Sequence, residues 1–352
     1  DIPQTALIAG MTPGQRAEAR LKVLVRMGHP RPYIEAHFKI RPDGGQALGR
    51  MLFENEPNQL YYYEELFGVR GRWVERFLRG EVGLLEAEPP GWRLDALALK
   101  DRKARWTSFG CAVLGAKFFE VPGTNVLCVV NAEDTFDVWD EMLNGFWNNM
   151  APEKRPIKGA VWGKEVKTVR IGLGQGEVIN TFTLRTAQNA NVGTGTTPTD
   201  LVFDEFPKFP KTYSASAQAS SRSALPAGGS FLRGGSVGPD GSDCIMHEEI
   251  QQMKRGDIRF TYLVRFWHQN PANILRPGDG RPADDRDEDV VPGQGAGPDG
   301  AREPLLVKEF PKDGIPWQWR LRRRRRWMQD ALLAAGGPGN EESAAVLFSR
   351  EH

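Results

Sequence analysis

The spacing of apolar residues is typical of helices in the first ninety positions of the chain. Thr12-Pro13 followed by Gln15 has the form of a capping box with proline at the first helical position, and it predicts a helix that runs to Gly28. A second helix is predicted from Glu56 to Phe67, with Gly68 as its end. Residues 1–90 are therefore expected to form a small helical subdomain, or lid.

From Trp92 onward, short apolar runs alternate with helical patterns. LDALAL, a helix from Thr107 to Glu120, TNVLCVV and a helix from Thr135 to about Asn149 follow one another. This alternation indicates βαβ units and a parallel sheet. KTVRIGL and VINTFTL flank the turn GQGE and predict a hairpin, and DLVFDEF, FLRGGSV and FTYLVRFW predict further strands. The expected fold class is α/β, with a mainly parallel central sheet flanked by helices.

Composition divides the rest of the chain. The core domain is expected at 91–275, and 276–304 is rich in Gly, Pro and Asp, as in a long surface loop or linker. Residues 305–352 contain WQWRLRRRRRWMQDALLAA, which predicts a basic helix.

The composition also excludes several classes of protein. The net charge of +1 gives no overall basic field, so a nucleic-acid surface would have to be local. The three cysteines are far apart and are expected to be small buried side chains without disulfides or structural zinc. His247-Glu248-Glu249 lacks a second histidine four residues on, which favours a surface helix over a zinc motif. With no membrane-length apolar run and no signal-like start, we expect a soluble, intracellular protein.

The segment KDRKARWTS, residues 100–108, concentrates positive charge between a strand and a helix. It has the architecture of a phosphate-binding loop, although only Thr107 matches the pattern GxxxxGK[ST]. The start of a helix offers free N–H groups to phosphate, and Arg102, Lys103 and Arg105 are cationic donors in place of the missing lysine. The alternative is a charged connector without a ligand.

Two further features fit a nucleotide site. Asp204-Glu205 end an apolar strand, where adjacent carboxylates are costly unless they bind something, and a solvent-facing strand end is the alternative. In nucleotide hydrolases such a pair holds Mg²⁺ and acts on water. Gln59, at the start of a helix, can bracket adenine with its amide, or can simply be part of a polar helix start.

Six arginines lie close together near the end of the chain. Consecutive positions point around the whole circumference of a helix, so their mutual repulsion has to be offset by anions. The candidates are the phosphates of DNA and the acidic stretch at 284–289, and an exposed flexible arm is a third possibility. The arginines are Arg320, Arg322, Arg323, Arg324, Arg325 and Arg326.

Taken together, these pieces resemble the N-terminal ATPase half of the large terminase subunit of tailed bacteriophages. The similar segments, in chain order, are PNQLYYYEELF, KDRKARWTS, NVLCVVNAEDTFDVWDEM, the stretch from EVINTFTL to DLVFDEF, FLRGGSVGPDG, WHQNPAN and EESAAVLFSREH. They cover roughly residues 50–352. The resemblance implies a P-loop NTPase of the additional-strand type. ATP as the substrate and Mg²⁺ as the cofactor follow from it.

The resemblance also implies roles for single residues. Glu205 and Arg102 would be catalytic, the first acting on water and the second, in cis, stabilising the phosphoryl charge. Thr107 and Asp204 would hold the metal, Gln59 would contact adenine, and Ser236 would couple hydrolysis to movement. The nucleotide loop would contain Lys100, Arg102, Lys103, Arg105, Trp106, Thr107 and Ser108.

The implied activity is ATP hydrolysis that drives double-stranded DNA into a viral procapsid. The implied partners are the portal protein and the small terminase subunit, with a homo-oligomeric ring at the portal vertex in the cytoplasm of an infected bacterium, away from membranes. The family's nuclease half has no counterpart in this sequence. Arg105 in place of the loop glycine, Trp106 in place of the lysine and GGSVGPDG without Thr or Pro after Ser236 depart from the family pattern. Another P-loop DNA translocase or helicase, or a DNA-binding assembly subunit with a decayed nucleotide site, are the alternatives.

Overall fold

The computed structural model describes most of the first 265 residues. The described residues are 11–40, 49–82, 91–100, 104–152, 155, 157–162, 166–173, 178–187, 197–209, 229–236 and 244–265. The regions 276–304 and 305–352, and with them the six arginines, lie outside this part, as do the hairpin turn GQGE, Arg102 and Lys103.

The chain divides into two compact units. The first comprises Asp1–Ala98, Arg105–Gly234 and Cys244–Leu263, and it contains the six helices named below. The second comprises Leu99–Ala104, Gly235–Asp243 and Val264–His352, of which only residues 99–100, 104, 235–236 and 264–265 are described.

An eight-stranded sheet forms the centre of the fold, with strands in the order β10-β3-β9-β8-β4-β7-β6-β5. The pairs β9-β8, β8-β4 and β4-β7 are parallel, whereas β7-β6 and β6-β5 are antiparallel. The strands are β3 (Asp95–Lys100), β4 (Asn125–Val130), β5 (Ile157–Trp162), β6 (Val166–Leu173), β7 (Val178–Thr186), β8 (Asp200–Asp204), β9 (Ser230–Gly235) and β10 (Thr261–Arg265). Two short strands, β1 (Lys39–Ile40) and β2 (Gly49–Arg50), pair separately.

The predicted α/β class is therefore confirmed, including the hairpin of β6 and β7. The position of β9 is the feature that matters for function. It separates β3, which leads into the basic loop, from β8, which ends in the acidic pair. This is the arrangement expected of an additional-strand sheet. The strand β5 was not predicted, because Gly159 and Ala160 interrupt the β-branched and aromatic pattern of its sequence.

In the described part of the chain, six helices surround or precede the sheet. They are α1 (Pro13–Arg26), α2 (Arg31–His37), α3 (Pro57–Leu78), α4 (Trp106–Glu120), α5 (Glu133–Asn149) and α6 (Ile245–Arg255). The capping box of α1 is confirmed, since the backbone N–H of Gln15 donates to the Thr12 hydroxyl and the backbone N–H of Thr12 donates to the side-chain oxygen of Gln15.

The prediction that Gly68 ends a helix was wrong, because α3 continues through Gly68 and Gly71 to Leu78. Glycine acts here through close packing rather than as a helix stop. A Cβ built on Gly71 would lie 2.8 Å from Nδ1 of His29, so the glycine lets α3 approach the segment before α2.

The helix α4 is the central helix of the core. It contacts α1, α2, α3 and α5 as well as β4 and β7, and nearly all its side chains are buried. A helix covered on all sides has to be apolar on all faces, as WTSFGCAVLGAKFFE is. This packing fixes the N-terminus of α4 beside the carboxyl end of β8.

The sequence interpretation of α6 as a surface helix needs correction. His247 is half-buried and Glu248 exposed, but Glu249 is buried and forms a 2.6 Å ion pair with Arg233 of β9. Arg233 also pairs with Asp95 of β3. A buried carboxylate needs such a partner, and neither the charge pattern nor the periodicity of α6 identified it.

Candidate active site

The hydroxyl of Thr107 and the carboxylate of Asp204 meet at the carboxyl end of β8, a central strand of the sheet. Thr107 lies in the first turn of α4 and Asp204 is the last residue of β8. The Thr107 hydroxyl donates to Oδ2 of Asp204 over 2.7 Å, although the two residues are 97 positions apart. Asp204 is fully buried. The fold thus unites the two features that the sequence analysis singled out separately.

Two further groups hold the Asp204 carboxylate. The indole N–H of Trp139 in α5 donates to Oδ2 over 2.8 Å, and the backbone N–H of Glu205 donates to Oδ1 over 3.1 Å. Trp139 is buried, and the sequence analysis did not identify it. A tryptophan on the apolar face of a helix normally indicates core packing, so no sequence signal distinguished it.

Glu205 follows in a left-handed conformation, with φ 55° and ψ 36°. Its carboxylate forms an ion pair with Lys208 over 3.0 Å, and its side chain is 17% exposed. The residue is therefore close to solvent, whereas Asp204 beside it is not. This asymmetry fits two roles, one carboxylate fixed inside the protein and the other able to contact water.

Arg105 immediately precedes α4 and is also left-handed, with φ 58° and ψ 29°. Among the described residues, Arg105 and Glu205 are the two non-glycine residues with positive φ. Such conformations are rare outside glycine, and they cluster at functional sites. Arg105 stands at the position of the loop glycine, so its backbone carries the strain that a left-handed conformation imposes on a residue with a Cβ. The Arg105 guanidinium pairs with Glu56, the residue before α3, over 3.0 Å.

Trp106 occupies the position of the missing loop lysine, but its indole is buried in the core. The ring packs edge-on against Tyr62 of α3, with ring centroids 5.2 Å apart. It also covers Gly234 of β9, where an added Cβ would lie 2.7 Å from Cδ1 of the indole. What Trp106 can offer a phosphate is therefore its backbone N–H at the start of the helix.

Gln59 lies on α3, three residues before Tyr62, and is fully buried. Among the residues that the structure describes, neither its amide oxygen nor its amide nitrogen has a hydrogen-bond partner. A buried amide without partners is costly and calls for an explanation, because it retains both a donor and an acceptor for a ligand. Through Tyr62 and Trp106, the helix that carries Gln59 packs directly against the start of α4.

The other predicted residues are described to different degrees. Lys100 is buried at the end of β3, Ser108 is half-buried in the first turn of α4, and Ser236 directly follows β9. Arg102, Lys103 and the six arginines at 320–326 lie outside the described residues, so their roles remain predictions.

The carboxylate of Asp204 affects the pKa of two buried thiols. Burial raises the pKa of Cys111 and of Cys128 well above the ordinary value, and the Asp204 carboxylate raises it further. These thiols stay protonated at neutral pH and are not candidates for nucleophiles.

The oxygen donors at this point suit Mg²⁺. A hydroxyl and a carboxylate 2.7 Å apart are hard ligands, and Mg²⁺ in nucleotide sites takes one or two protein ligands and completes its shell with water and phosphate oxygens. In the described part of the chain, no cluster of three or more His, Cys, Asp or Glu side chains offers an alternative metal site.

No protein-family model and no curated protein sequence matches the chain. Solved structures do match. The chain is similar in structure to large terminases. Against the ATPase domain of the Thermus phage P74-26 large terminase, the identity is 14% and the TM-score 0.36, with 48% of this chain and 74% of that chain covered. Against the large terminase of bacteriophage HK97, the values are 14% and 0.49, with 97% and 55% covered.

A third match is the large terminase of a thermophilic bacteriophage in complex with ATP-γ-S, with 13% identity, a TM-score of 0.38, and coverage of 53% of this chain and 43% of that one. The matched region spans 55% of the HK97 chain and 43% of the chain from the thermophilic bacteriophage. Because the TM-scores are below 0.5, these matches do not indicate a function. The functional assignment rests on the residues of the site. Among the described helices, none is both long enough and apolar enough to cross a membrane.

Proposed function

We propose that the chain is the ATPase of a DNA-packaging motor of the large-terminase type. The observation that carries the proposal is the 2.7 Å hydrogen bond between Thr107 and Asp204. It joins a helix N-terminus that follows a basic loop to the acidic pair at the end of β8, a parallel strand of the same sheet. In phosphoryl-transfer enzymes these two elements bind the phosphates and the metal.

Each described residue has a chemical task in this proposal. Thr107 and Asp204 would hold Mg²⁺, which would supply positive charge to the phosphate oxygens. The free N–H groups of the first turn of α4 would contact the phosphates. Glu205, next to solvent, would orient a water molecule and accept its proton as the water bonds to the terminal phosphorus and the bond to the bridging oxygen breaks, with ADP as the leaving group. The buried amide of Gln59 donates to and accepts from the edge of adenine.

The cationic part of the site is assigned from the sequence. Arg102 would stabilise the charge on the transferring phosphoryl group in cis, and Lys103 and Lys100 would supplement it. The Nε of Arg105 forms an ion pair with Glu56, and a guanidinium has further N–H donors through which Arg105 would contact phosphate.

The motor's work would fall to parts that follow the site in the chain. Ser236 would couple hydrolysis to movement, and the arginines at 320–326 would contact the backbone of double-stranded DNA. A ring of identical chains on the portal, assisted by the small terminase subunit in the cytoplasm of the infected cell, would carry DNA into the procapsid.

ATP hydrolysis by the purified protein tests the proposal. We expect Glu205→Gln to lower turnover at least about 100-fold, the range of a lost general base, while ADP binding measured by calorimetry is retained. Glu248→Gln, at an exposed carboxylate of α6, is the matched control and should hydrolyse ATP normally. Full turnover in the Glu205 variant would contradict the assignment.

One observation favours a second candidate, a DNA-binding assembly subunit with a decayed nucleotide site. The position of the loop lysine holds a tryptophan whose indole is committed to the core. On this view, neither ATP nor ADP binds measurably and wild-type turnover is absent even with DNA and portal present. Nucleotide binding that Gln59→Ala weakens would exclude this candidate.

A further inference from the structure

The indole of Trp139 connects α5 to the candidate metal-binding carboxylate. Its Nε1 lies 2.8 Å from Oδ2 of Asp204, the same oxygen that the Thr107 hydroxyl contacts. We propose that Trp139 is a positioning residue that fixes the orientation of the Asp204 carboxylate for the metal. This inference rests on the proposed ATPase function and adds a third chain element to its site.

The carboxylate needs such a donor because its own geometry is loosely defined. Rotation about the last side-chain bond of aspartate has a broad profile, so neighbouring groups set the plane of the carboxylate. The Thr107 hydroxyl donates to the same oxygen, but its O–H rotates about the Cβ–Oγ bond, so by itself it does not fix the plane of the carboxylate. The N–H of Trp139 lies in a rigid ring, and a hydrogen bond to an ionised acceptor is stronger than a neutral one.

Packing fixes the direction of the indole. Trp139 is buried, and the far edge of its ring lies against Gly110 of α4, where an added Cβ would be 3.4 Å from Cη2. Phe182 of β7 lies beside it, with ring centroids 6.3 Å apart. A ring held between a helix and the sheet has little freedom to turn, so its N–H stays directed at Asp204.

The first experiment examines the metal-free protein and needs no activity. The indole N–H of Trp139 is assigned in a ¹H–¹⁵N spectrum from the signal that Trp139→Phe removes, or from its contacts with Gly110 if that variant does not fold. We expect Asp204→Asn to shift this signal more than any other indole signal, because the charged acceptor is replaced by a neutral amide. An unchanged Trp139 signal would overturn the proposal.

The second experiment compares Trp139→Phe with Trp147→Phe, a tryptophan substitution on the same helix. Residues behind metal ligands typically contribute 10–100-fold to metal affinity or activity. We therefore expect Trp139→Phe to raise the Mg²⁺ concentration for half-maximal hydrolysis about tenfold, with little change in the KM for ATP at saturating Mg²⁺. Trp147→Phe should leave both values unchanged. An equal effect of the two variants, or an effect on the KM for ATP alone, would refute the positioning role.

The experiments distinguish a failure of the ATPase proposal from a failure of the proposed role of Trp139. If wild-type protein neither binds nucleotide nor hydrolyses ATP, but Asp204→Asn still shifts the Trp139 signal, the hydrogen bond is real and the ATPase proposal is wrong. If ATP is hydrolysed and the Mg²⁺ dependence of Trp139→Phe equals that of the wild type, the ATPase proposal stands and the role of Trp139 is excluded.

Discussion

Arg105 and Glu205 have the same unusual backbone conformation on either side of the candidate site. Arg105 closes the basic loop before α4, and Glu205 follows the last residue of β8. A left-handed conformation costs a residue with a Cβ roughly 1–2 kcal/mol, so the surrounding structure has to enforce it. Strain of this kind at both halves of one site is consistent with a constraint set by a ligand rather than by folding.

A pair of substitutions at Arg105 measures this strain. Both Arg105→Gly and Arg105→Ala remove the ion pair with Glu56, so their difference reports the backbone alone. We expect the glycine variant to be more stable than the alanine variant by about 1 kcal/mol in urea unfolding, because only glycine adopts positive φ without strain. Equal stabilities, or a more stable alanine variant, would show that the left-handed conformation is absent in solution.

At this scale, the sequence revealed the residues whose chemistry is costly without a partner. Adjacent carboxylates at the end of an apolar strand pointed to Asp204 and Glu205, and the hydroxyl at the start of a predicted helix pointed to Thr107. Trp139 and Glu56 could not be identified in this way. A tryptophan on an apolar helix face and a glutamate before a helix are ordinary in their local context, and their importance lies in which distant residue each one contacts.

At the scale of elements, β9 and α4 approach each other unusually closely at Gly234. The indole of Trp106 lies over this glycine, and it also contacts Tyr62 on the helix that carries Gln59. Trp106, at the start of α4, thus contacts both β9 and α3, the helix that carries the buried amide of Gln59. The structure of β9 at this point therefore influences both the start of α4 and the helix that carries Gln59.

Gly234→Ala tests this contact. The added methyl group would lie within 2.7 Å of two carbon atoms of the Trp106 ring, so the indole has to move. We expect a loss of about 1–3 kcal/mol in the free energy of unfolding, as for other overpacked sites, with a change in tryptophan fluorescence. The control is Gly145→Ala in α5, where an added Cβ has no neighbour within 4 Å and the helix should gain stability. Equal stability of the Gly234 variant and the wild type would contradict the contact.

The elements themselves were largely predictable, and the errors have local causes. Short apolar runs and helical patterns identified β3, β4 and the helices α4 and α5 to within two residues. The end of α3 was missed because Gly68 was interpreted as a helix stop, whereas the helix continues through it and Gly71 serves close packing against His29. The burial of Glu249 depends on Arg233 in a strand sixteen residues earlier, and no local pattern contains that information.

At the scale of the whole molecule, charge is distributed unevenly. The net charge is only +1, yet the segment 320–326 contains six arginines. A chain of this kind would bind a polyanion at one place rather than over its whole surface. Binding to the DNA backbone would then be independent of sequence and sensitive to salt.

Replacing Arg322 to Arg326 with glutamine tests the DNA contact. Each phosphate contact adds about 0.9 to the slope of log affinity against log salt concentration, so the variant should lose up to about four to five units of slope. Replacement of the same five residues with lysine keeps the charge and should largely keep the slope. An unchanged slope in the glutamine variant would favour neutralisation of the arginines by the acidic stretch at 284–289 instead.

The burial of the three cysteines gives the protein a built-in reporter. Cys111, Cys128 and Cys244 are all buried and free, and the first two have their pKa raised by burial and by Asp204. Thiol reagents therefore have no easy target in the folded protein, so a single cysteine added at the surface could carry a fluorescent dye for single-molecule measurements without removing the natural ones. Conversely, any labelling of Cys111 or Cys128 would time the opening of the region around Asp204.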